Sequence, residues 1–186
     1  MSGSSIISSA LSPKYTVLGL LYFQPMHGYD LHRKLESDLH EIWRISQSQV
    51  YTLLKRLEAE GLLYASQQIQ EKRPDRTCLY LTEDGKKTFL TWLDTPTRPS
   101  SRAIRVEFLS RLYFASRMGK DKFDQLVIEQ INATQKDLQR LQEKYDATPE
   151  QELFSRLGLE LRMRQITSIL DWLETCKLIQ PLPILK

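Results

Sequence analysis

The segment at residues 46–63 constrains the fold of this chain most, because it predicts one short amphipathic helix with both ends specified. Ser46 is a favourable N-cap, and Gln49, three residues later, completes a capping box. Gly61 permits the left-handed backbone conformation that stops a helix. Apolar side chains recur at three- and four-residue spacing, which predicts a buried face of Val50, Leu53, Leu54 and Leu57.

Hydrogen-bonding and cationic side chains make up the opposite face of this helix. Amides, hydroxyls and cations near a helix N-terminus are the groups that read base edges and grip phosphates. We therefore predict a DNA recognition helix that enters or borders the major groove, with Tyr51 packed at its DNA-facing junction. An ordinary amphipathic surface helix would fit this segment equally well, so the flanking elements have to decide. The outward residues are Gln47, Ser48, Gln49, Thr52, Lys55 and Arg56.

Two strands joined by a charged turn are predicted directly after this helix. Residues 62–69 and 77–82 have the composition of strands, and residues 70–76 form a polar turn between them. Helix, strand, basic turn and strand are the order of a winged helix, which favours the recognition-helix interpretation. The cations of this wing, which are candidates to reach phosphate or the minor groove, are Lys72, Arg73 and Arg76.

Further helices are predicted on both sides of this motif. Ser12 and Pro13 form a cap and first-turn pair for an apolar first helix, where Lys14 and Tyr15 are candidates to contact the DNA backbone. A second helix follows a break that contains proline and glycine. After the wing, a closing helix capped by Thr82 is expected to bury Phe89, Leu90 and Leu93.

The chain is predicted to be mainly α-helical and to divide near residue 95. Residues 1–95 are expected to form a winged helix-turn-helix DNA-binding domain with a two-stranded wing. Residues 95–101 carry two prolines and four hydroxylated side chains, which end one pattern before another begins and predict a linker. Residues 96–186 are expected to form a helical dimerisation domain.

A helix over residues 122–145 is the strongest sequence indication of assembly. Its apolar side chains step by four and three in a nearly heptad register, which predicts a seam against another helix. We expect two copies of the chain to meet along this seam, since winged helices that bind two-fold operators generally act as dimers. The alternative is an intrachain hairpin in which this helix and the last helix bury each other. The seam consists of Phe123, Val127, Ile131, Thr134, Leu138, Leu141 and Tyr145.

The two other helices of this half have less specific signals. Thr148 and Pro149 are expected to cap and open a long last helix. Its candidate buried residues are Leu153, Leu157, Leu161, Ile166, Ile169, Leu170 and Leu173. The first helix of this half lies in a basic stretch whose one acid is Glu107, and this stretch would touch DNA or a partner chain, or else face solvent. Its arginines are Arg98, Arg102, Arg105, Arg111 and Arg117.

The charge of the chain is nearly balanced. It has 26 lysine and arginine residues against 23 acids, and the net charge of +3 excludes a globally basic polyanion binder. Residues 1–95 hold 11 cations and 11 acids, whereas residues 96–186 hold 15 and 12. A grip on phosphate must therefore come from local clusters, such as the acid-free residues 44–57 and the wing. A merely solvated face is the alternative for these clusters.

Short motifs run from the second predicted helix to the end of the wing. They are His27-Gly28-Tyr29-Asp30-Leu31, Val50-Tyr51 with Leu54, Arg56-Leu57-Glu58, Glu60-Gly61-Leu62, Arg76, Tyr80-Leu81-Thr82 and Gly85. These motifs resemble the PadR-like transcriptional regulators, particularly longer members with a helical C-terminal extension similar to that of virulence-activator regulators. They cover about half of the chain. The family often has a small residue two positions before the tyrosine and a proline just after it, where this chain has Gln49 and Thr52.

We predict a homodimeric, sequence-specific DNA-binding regulator without catalytic activity, acting on an inverted-repeat operator in double-stranded DNA. The resemblance implies repression, often of a neighbouring gene and released by a small molecule in some members, although the longer subgroup also includes activators. The alternative is a winged-helix protein-interaction module that binds no DNA, which the neutral N-terminal half permits. A small aromatic effector would bind in a cleft near the domain junction, unless the same aromatic residues are core packing: Trp43, Trp92, Phe108 and Tyr113.

The remaining residues of interest are expected to be structural. Cys78 and Cys176 lack any paired metal spacing, so we expect two buried or half-buried thiols. The three histidines, all between residues 27 and 40, form no familiar zinc motif, and neither a metal nor a cofactor is predicted. No apolar run is long enough for a bilayer span, and the Ser-rich start lacks the pattern of a signal peptide. A cytoplasmic protein without a membrane partner is expected.

Overall fold

The computed structural model describes residues 12–68 and 76–179, apart from the side chains of Gln68 and Arg76. The chain forms two compact units, of which the first ends at Thr95 and the second begins at Pro96. The first unit contains α1 (Lys14–Phe23), β1 (Met26–His27), α2 (Gly28–Leu39), α3 (Gln47–Ala59), β2 (Leu63–Gln68), β3 (Arg76–Leu81) and α4 (Glu83–Asp94).

The sheet of the first unit has one strand more than the predicted two-stranded wing. The strand order is β1-β3-β2, with both pairs antiparallel. Met26 pairs with Leu79 and His27 with Cys78, so the segment that was predicted only as a break between helices joins the sheet. A strand of two residues has too little local pattern to be predicted, because its hydrogen-bond partners lie about fifty positions away.

Apolar faces of the helices and of the sheet meet in the core of this unit. Val17, Leu18, Leu31 and Val50 are fully buried, as the helical spacing predicted. On α4 the buried side includes Trp92 and not the predicted Leu90, which is 36% exposed. The reason is that Trp92 stacks face to face on the Tyr15 ring of α1, with 5.1 Å between the ring centroids.

The junction between α3 and α4 leaves no room for a side chain at Gly85. A Cβ there would lie 2.0 Å from the carbonyl oxygen of Leu62. Thr82, at the predicted cap, accepts a hydrogen bond from the Gly85 N–H (3.0 Å) and donates one to the Gly61 carbonyl (2.8 Å). The glycine of the Thr82–Gly85 motif is therefore required by the close approach of two backbones.

The cap of α1 lies one residue later than predicted. Pro13 occupies the N-cap position, and the Ser12 hydroxyl accepts a hydrogen bond from the Lys14 N–H (3.3 Å). Ser12 therefore still satisfies one of the first free donors of the helix, although it stands one position before the cap. The apolar body of the helix is as predicted.

The second unit is helical throughout its described residues apart from the connections. It contains α5 (Ser101–Ala103), a π-helical segment (Ile104–Phe108), α6 (Leu109–Met118), α7 (Lys120–Asp146) and α8 (Leu153–Cys176). The predicted linker is partly built into this unit, since Thr97 is buried. Its N–H donates to Gln130 Oε1 (2.8 Å), and Gln130 Nε2 donates to the Thr97 carbonyl (2.7 Å).

The heptad-like side chains of α7 pack inside the chain. Phe123, Val127 and Ile131 share a buried cluster with Ile169 and Leu173 of α8. A second cluster joins the other half of the seam to Leu159 and Ile166, and the seam residues in it are Leu138, Leu141 and Tyr145. Thr134 is buried as well, and its hydroxyl donates to the Gln130 carbonyl (2.7 Å). The seam therefore packs against α8 of the same chain, as the alternative prediction stated. Its contact with a second chain stays a prediction.

The start of α8 differs from the prediction in two ways. Thr148 does not cap α8; its hydroxyl donates to the Lys144 carbonyl (2.7 Å) and so belongs to the end of α7. Three of the expected buried leucines are exposed, because another side of the same turns, which carries Leu159, packs against Leu141 of α7. They are Leu153, Leu157 and Leu161, and beside them the Phe154 side chain is 84% exposed.

One arginine of the predicted basic stretch is buried. Arg111 is 2% exposed and forms an ion pair with Glu107, which is 6% exposed, one helical turn earlier. The acid that seemed isolated in the sequence thus neutralises the cation nearest to it in space. Among the helices that the structure describes, none is both long and apolar enough to cross a membrane.

Candidate nucleic-acid interface

The caps of α3 are formed as predicted. The Ser46 hydroxyl accepts a hydrogen bond from the Gln49 N–H (3.3 Å), and Gln49 Oε1 accepts one from the Ser46 N–H (2.8 Å). Gly61 has a φ of 69°, the left-handed conformation expected at the stop. The four predicted apolar residues are buried. Both ends and the inward face of this helix are therefore confirmed.

The position of α3 against α2 is held by two contacts, one just before α3 and one in its first half. His32 Nε2 lies 3.2 Å from the Ile45 carbonyl oxygen, which ties α2 to the turn that precedes α3. Farther along, the Tyr51 ring covers Gly28, where a Cβ would lie 3.0 Å from Tyr51 Cε1. A glycine at this position lets the ring pack closely, and the predicted place of Tyr51 at a DNA-facing junction stays a prediction. The outward face of α3 is consequently held in a defined orientation.

All of the predicted outward residues of α3 are exposed to solvent, but they differ in what else they bind. Gln49 uses its amide oxygen in the cap, and the Thr52 hydroxyl donates to the Ser48 carbonyl (2.9 Å). Ser48 Oγ lies 2.9 Å from Ser46 Oγ. Each of these side chains keeps hydrogen-bonding capacity on its outer side, because an amide also has donors and a hydroxyl has a second lone pair.

Glu60 forms ion pairs with two of the three candidate phosphate-binding cations on α1 and α3, which are Lys14, Lys55 and Arg56. Lys14 Nζ lies 2.5 Å from Glu60 Oε2, and Arg56 Nε lies 3.5 Å from Glu60 Oε1. Within the described part of the chain, Lys55 has no ion-pair partner. A phosphate that approached Lys14 or Arg56 would have to compete with a carboxylate, whereas Lys55 presents its full charge.

Two protein-family models match successive parts of this chain. Residues 17–90 match the transcriptional regulator PadR-like family, and residues 104–179 match the virulence activator alpha C-terminal domain. The first match contains α3 and both long strands, and the second contains α6, α7 and α8. The chain therefore carries a PadR-like domain followed by a virulence activator alpha C-terminal domain.

Individual relatives are similar to this chain over most of its length. The negative transcriptional regulator PadR of Bacillus subtilis is 29% identical over 171 residues, which are 87% of this chain and 93% of that protein. A crystal structure of B. subtilis PadR with operator DNA has 27% identity and a TM-score of 0.44, covering 89% of this chain and 97% of that one. Another, with p-coumaric acid, has 26% identity and a TM-score of 0.40, covering 89% and 96%.

The wing and the start of α1 carry the remaining predicted DNA contacts of this PadR-like chain. Lys72 and Arg73 lie outside the described residues, and Arg76 begins β3. Tyr15 is half-buried in its stack on Trp92, so its ring has a packing role beside the predicted contact with DNA backbone. On the strands of the wing, Tyr64 and Tyr80 stack with 5.4 Å between centroids, a pair that the sequence analysis did not single out.

The four aromatic candidates for an effector site are divided between the two units. Trp92 is buried in the core of the first unit, and Phe108 is fully buried in the core of the second unit. Both therefore fit the alternative prediction of core packing. Trp43 and Tyr113 are half-buried. A cleft lined by all four stays a prediction. The sequence analysis missed Trp172, which lies beside a cavity of about 490 Å³ in the second unit. Its spacing of three from the predicted core residue Ile169 was the available signal.

The cysteines and histidines have structural surroundings. Cys78 and Cys176 are both buried and unpaired to each other, as expected, and burial raises the pKa of Cys176 to about 11. His27 Nδ1 donates to the Thr77 carbonyl (2.9 Å), a contact that joins β1 to β3. Within residues 12–68 and 76–179, no group of three or more histidine, cysteine or acidic side chains is placed to hold a metal ion.

Proposed function

We propose that this protein is a homodimeric transcriptional repressor that reads an inverted-repeat operator with α3 and has no catalytic activity. The observation that carries the proposal is the outward face of α3, a double-capped helix that presents amides, hydroxyls and the unpaired cation Lys55. The family consists of transcriptional regulators, and a relative that aligns with most of the chain is named a negative regulator. Repression is therefore the proposed sign of regulation.

The proposed roles of the side chains follow from their positions. Gln47, Ser48, Gln49 and Thr52 lie in the first turns of α3 and would contact base edges. Lys55 and Arg56 would border the groove, with Tyr51 at the junction. Lys14, Tyr15 and the wing residues Lys72, Arg73 and Arg76 would contact the backbone or minor groove.

Binding to DNA is tested with a labelled fragment of the promoter next to the gene. We expect the protein to bind this fragment more tightly than scrambled DNA, with an affinity that falls linearly in log–log form as salt rises. Fluorescence anisotropy at several salt concentrations measures both. No affinity for either DNA would favour the protein-interaction module, whereas equal affinity for the two DNAs would contradict sequence-specific binding.

Dimerisation is supported by an exposed apolar row on α8. Leu153, Leu157 and Leu161 repeat every four residues and are 57%, 48% and 58% exposed, with Phe154 beside them. Four large apolar side chains on one helix face are unusual at a solvated surface and typical of a protein interface. A second copy of the chain offers the same row, and a two-fold axis would let the two rows bury each other. We propose that the dimer contact includes this row in addition to, or in place of, the α7 seam.

A charged substitution on this row is expected to dissociate the dimer. Phe154→Glu should weaken self-association by roughly a hundredfold or more, since a carboxylate would be buried against apolar surface in both copies. The monomer should keep its thermal stability, because Phe154 is exposed in the single chain. Analytical ultracentrifugation measures the change. Thr167→Glu, an exposed site farther along α8, is the control and should leave the dimer intact.

A parent chain that is monomeric at micromolar concentration would rule out the dimer. A Phe154→Glu variant that dimerises like the parent would leave the seam of α7 as the proposed interface. Leu138→Asp is less discriminating than Phe154→Glu, because Leu138 packs inside the chain and its loss would also disturb folding.

Regulation by a small aromatic ligand is the remaining part of the proposal. B. subtilis PadR, which is related to this chain over most of its length, has been crystallised with p-coumaric acid. A ligand that binds one conformation of the dimer more tightly would shift operator affinity. The sequence suggests an aromatic-lined cleft as its site.

A further inference from the structure

Glu60, at the end of α3, holds two cations of the candidate DNA-binding face. Its carboxylate pairs with Lys14 Nζ at 2.5 Å and with Arg56 Nε at 3.5 Å. Lys14 begins α1 and is 46 positions away from Glu60 in the sequence, so the two ion pairs join the start of α1 to the end of α3. Lys14, Arg56 and Glu60 form the Glu60 cluster, in which one of the two positive charges is cancelled.

Folding stability does not account for an acid at this position. Glu60 occupies the C-cap of α3, where the free carbonyl groups give the helix end a negative potential that disfavours a carboxylate. In its pair with Arg56 the arginine comes first and the acid four positions later, which is the less favourable order within a helix. Solvent-accessible ion pairs also contribute little to the free energy of unfolding. The placement of Glu60 therefore points to a role in binding.

A cavity of about 340 Å³ lies beside the Glu60 cluster, between the start of α1 and the outward face of α3. The guanidinium of Arg56 lines it together with three hydroxyl groups, which belong to Ser12, Ser48 and Thr52. Hydroxyl groups beside a guanidinium suit a phosphate of the DNA backbone. A phosphate in this cavity would reach Arg56 only by competing with the carboxylate of Glu60.

This competition affects different DNA sequences unequally. Binding to DNA without the operator sequence depends almost entirely on cations that displace counterions, and the first unit has no net charge, with 11 cations and 11 acids. A carboxylate between two cations weakens that binding. On the operator, base contacts hold α3 in one position, and the same carboxylate keeps Lys14 and Arg56 ordered for the phosphates that meet them. Ordering the cations in advance lowers the entropy lost on binding and offsets part of the weakening.

We propose that Glu60 is a specificity-determining residue, which weakens binding to non-operator DNA more than binding to the operator by neutralising and positioning Lys14 and Arg56. The inference rests on the proposed function, because it takes α3 as the helix that binds DNA. It extends that function to a residue that has no contact with bases.

The test replaces Glu60 with glutamine, which keeps the size of the side chain and removes its charge. Glu60→Gln should bind a scrambled fragment roughly tenfold more tightly at low salt, with a salt slope steeper by about one unit for each cation released. Its affinity for the promoter fragment should stay within about threefold of the parent, so the ratio of the two affinities falls by about threefold or more. Fluorescence anisotropy on both fragments at several salt concentrations measures these values, and thermal melting checks that the variant is folded.

Glu58→Gln is the matched control, since it removes the same charge from the same helix two positions earlier. Glu58 is exposed and has no ion-pair partner among the residues that the structure describes. The control should keep the affinity ratio and the salt slope of the parent. If Glu58→Gln tightens binding to scrambled DNA as much as Glu60→Gln does, the effect comes from net charge alone and the inference is overturned.

A double-mutant cycle tests whether Glu60 acts through its two cations. In a chain that already carries Lys14→Gln and Arg56→Gln, the further change Glu60→Gln should alter binding to scrambled DNA no more than Glu58→Gln does. A full tenfold effect in that background contradicts the inference. A parent that prefers the promoter fragment, with a Glu60→Gln variant of equal preference, disproves only the role of Glu60. A parent that binds both fragments equally disproves the proposed function.

Discussion

Replacing Gln49 or Thr52 with alanine is expected to weaken operator binding by about 1–3 kcal/mol at each half-site, and by about twice that for a dimer on both. Binding to scrambled DNA should change little, because lost base contacts matter only where the bases are correct. Fluorescence anisotropy with operator and scrambled fragments gives both values. Lys72→Ala or Arg73→Ala in the wing should instead weaken binding to both DNAs equally and reduce the salt slope by about one unit per lost phosphate contact.

The structure adds a necessary control to this experiment, because Gln49 both caps α3 and faces outward. Ser46→Ala removes the same capping box from its other side and should cost about 1 kcal/mol of folding stability. If Gln49→Ala acts through base contacts, Ser46→Ala should leave operator affinity within about twofold of the parent. If the two variants weaken operator binding equally, the loss of affinity in Gln49→Ala is caused by the loss of the capping box and not by lost base contacts. Should the helix and wing variants all bind operator like the parent, α3 is not the recognition element.

Replacing Arg111 with alanine is expected to lower the free energy of unfolding by about 3–5 kcal/mol, because Glu107 would be left as a buried charge without its arginine. Urea denaturation followed by circular dichroism measures this loss. Arg102→Ala, at an exposed position on the same helical segment, should change stability by less than about 0.5 kcal/mol.

A double variant separates the charge effect from a simple loss of packing. Arg111→Met combined with Glu107→Leu replaces the ion pair with apolar groups of similar volume and should recover most of the stability. A double variant as unstable as Arg111→Ala would show that the contribution of Arg111 is steric. In that case the ion pair would not be what stabilises the π-helical segment and α6.

The bounds of α3 were predictable because the signals that set them are local. A capping box, a left-handed glycine and an apolar repeat are all contained within residues 46–63, and each acts over one to four positions. The two long strands and the Thr82 cap were predictable for the same reason. The family motifs lie in this region too, so the pattern and the resemblance gave the same fold.

The differences arise where a residue has a choice of partners. Thr148 could cap the next helix or bond back to the previous one, and only the path of the turn decides between them. The apolar repeat of α7 predicts that another helix packs against it. The repeat does not distinguish a helix of the same chain from a helix of a second chain. Leu90 and Trp92 are both apolar residues of α4, and either could have been buried. Trp92 is the buried one because its ring stacks on Tyr15, which is distant in sequence.

The amino-acid sequence by itself determined the order of the elements, the two-part organisation, the ends of α3 and the chemistry of its outward face, since these depend on short-range periodicity and capping. Only the tertiary structure decided which cations are free to meet a phosphate, because Glu60 reaches Lys14 across the fold. It likewise decided that Arg111 is neutralised inside the core by Glu107. Burial and charge pairing depend on distances between residues that are far apart in the chain, and no local pattern encodes those distances.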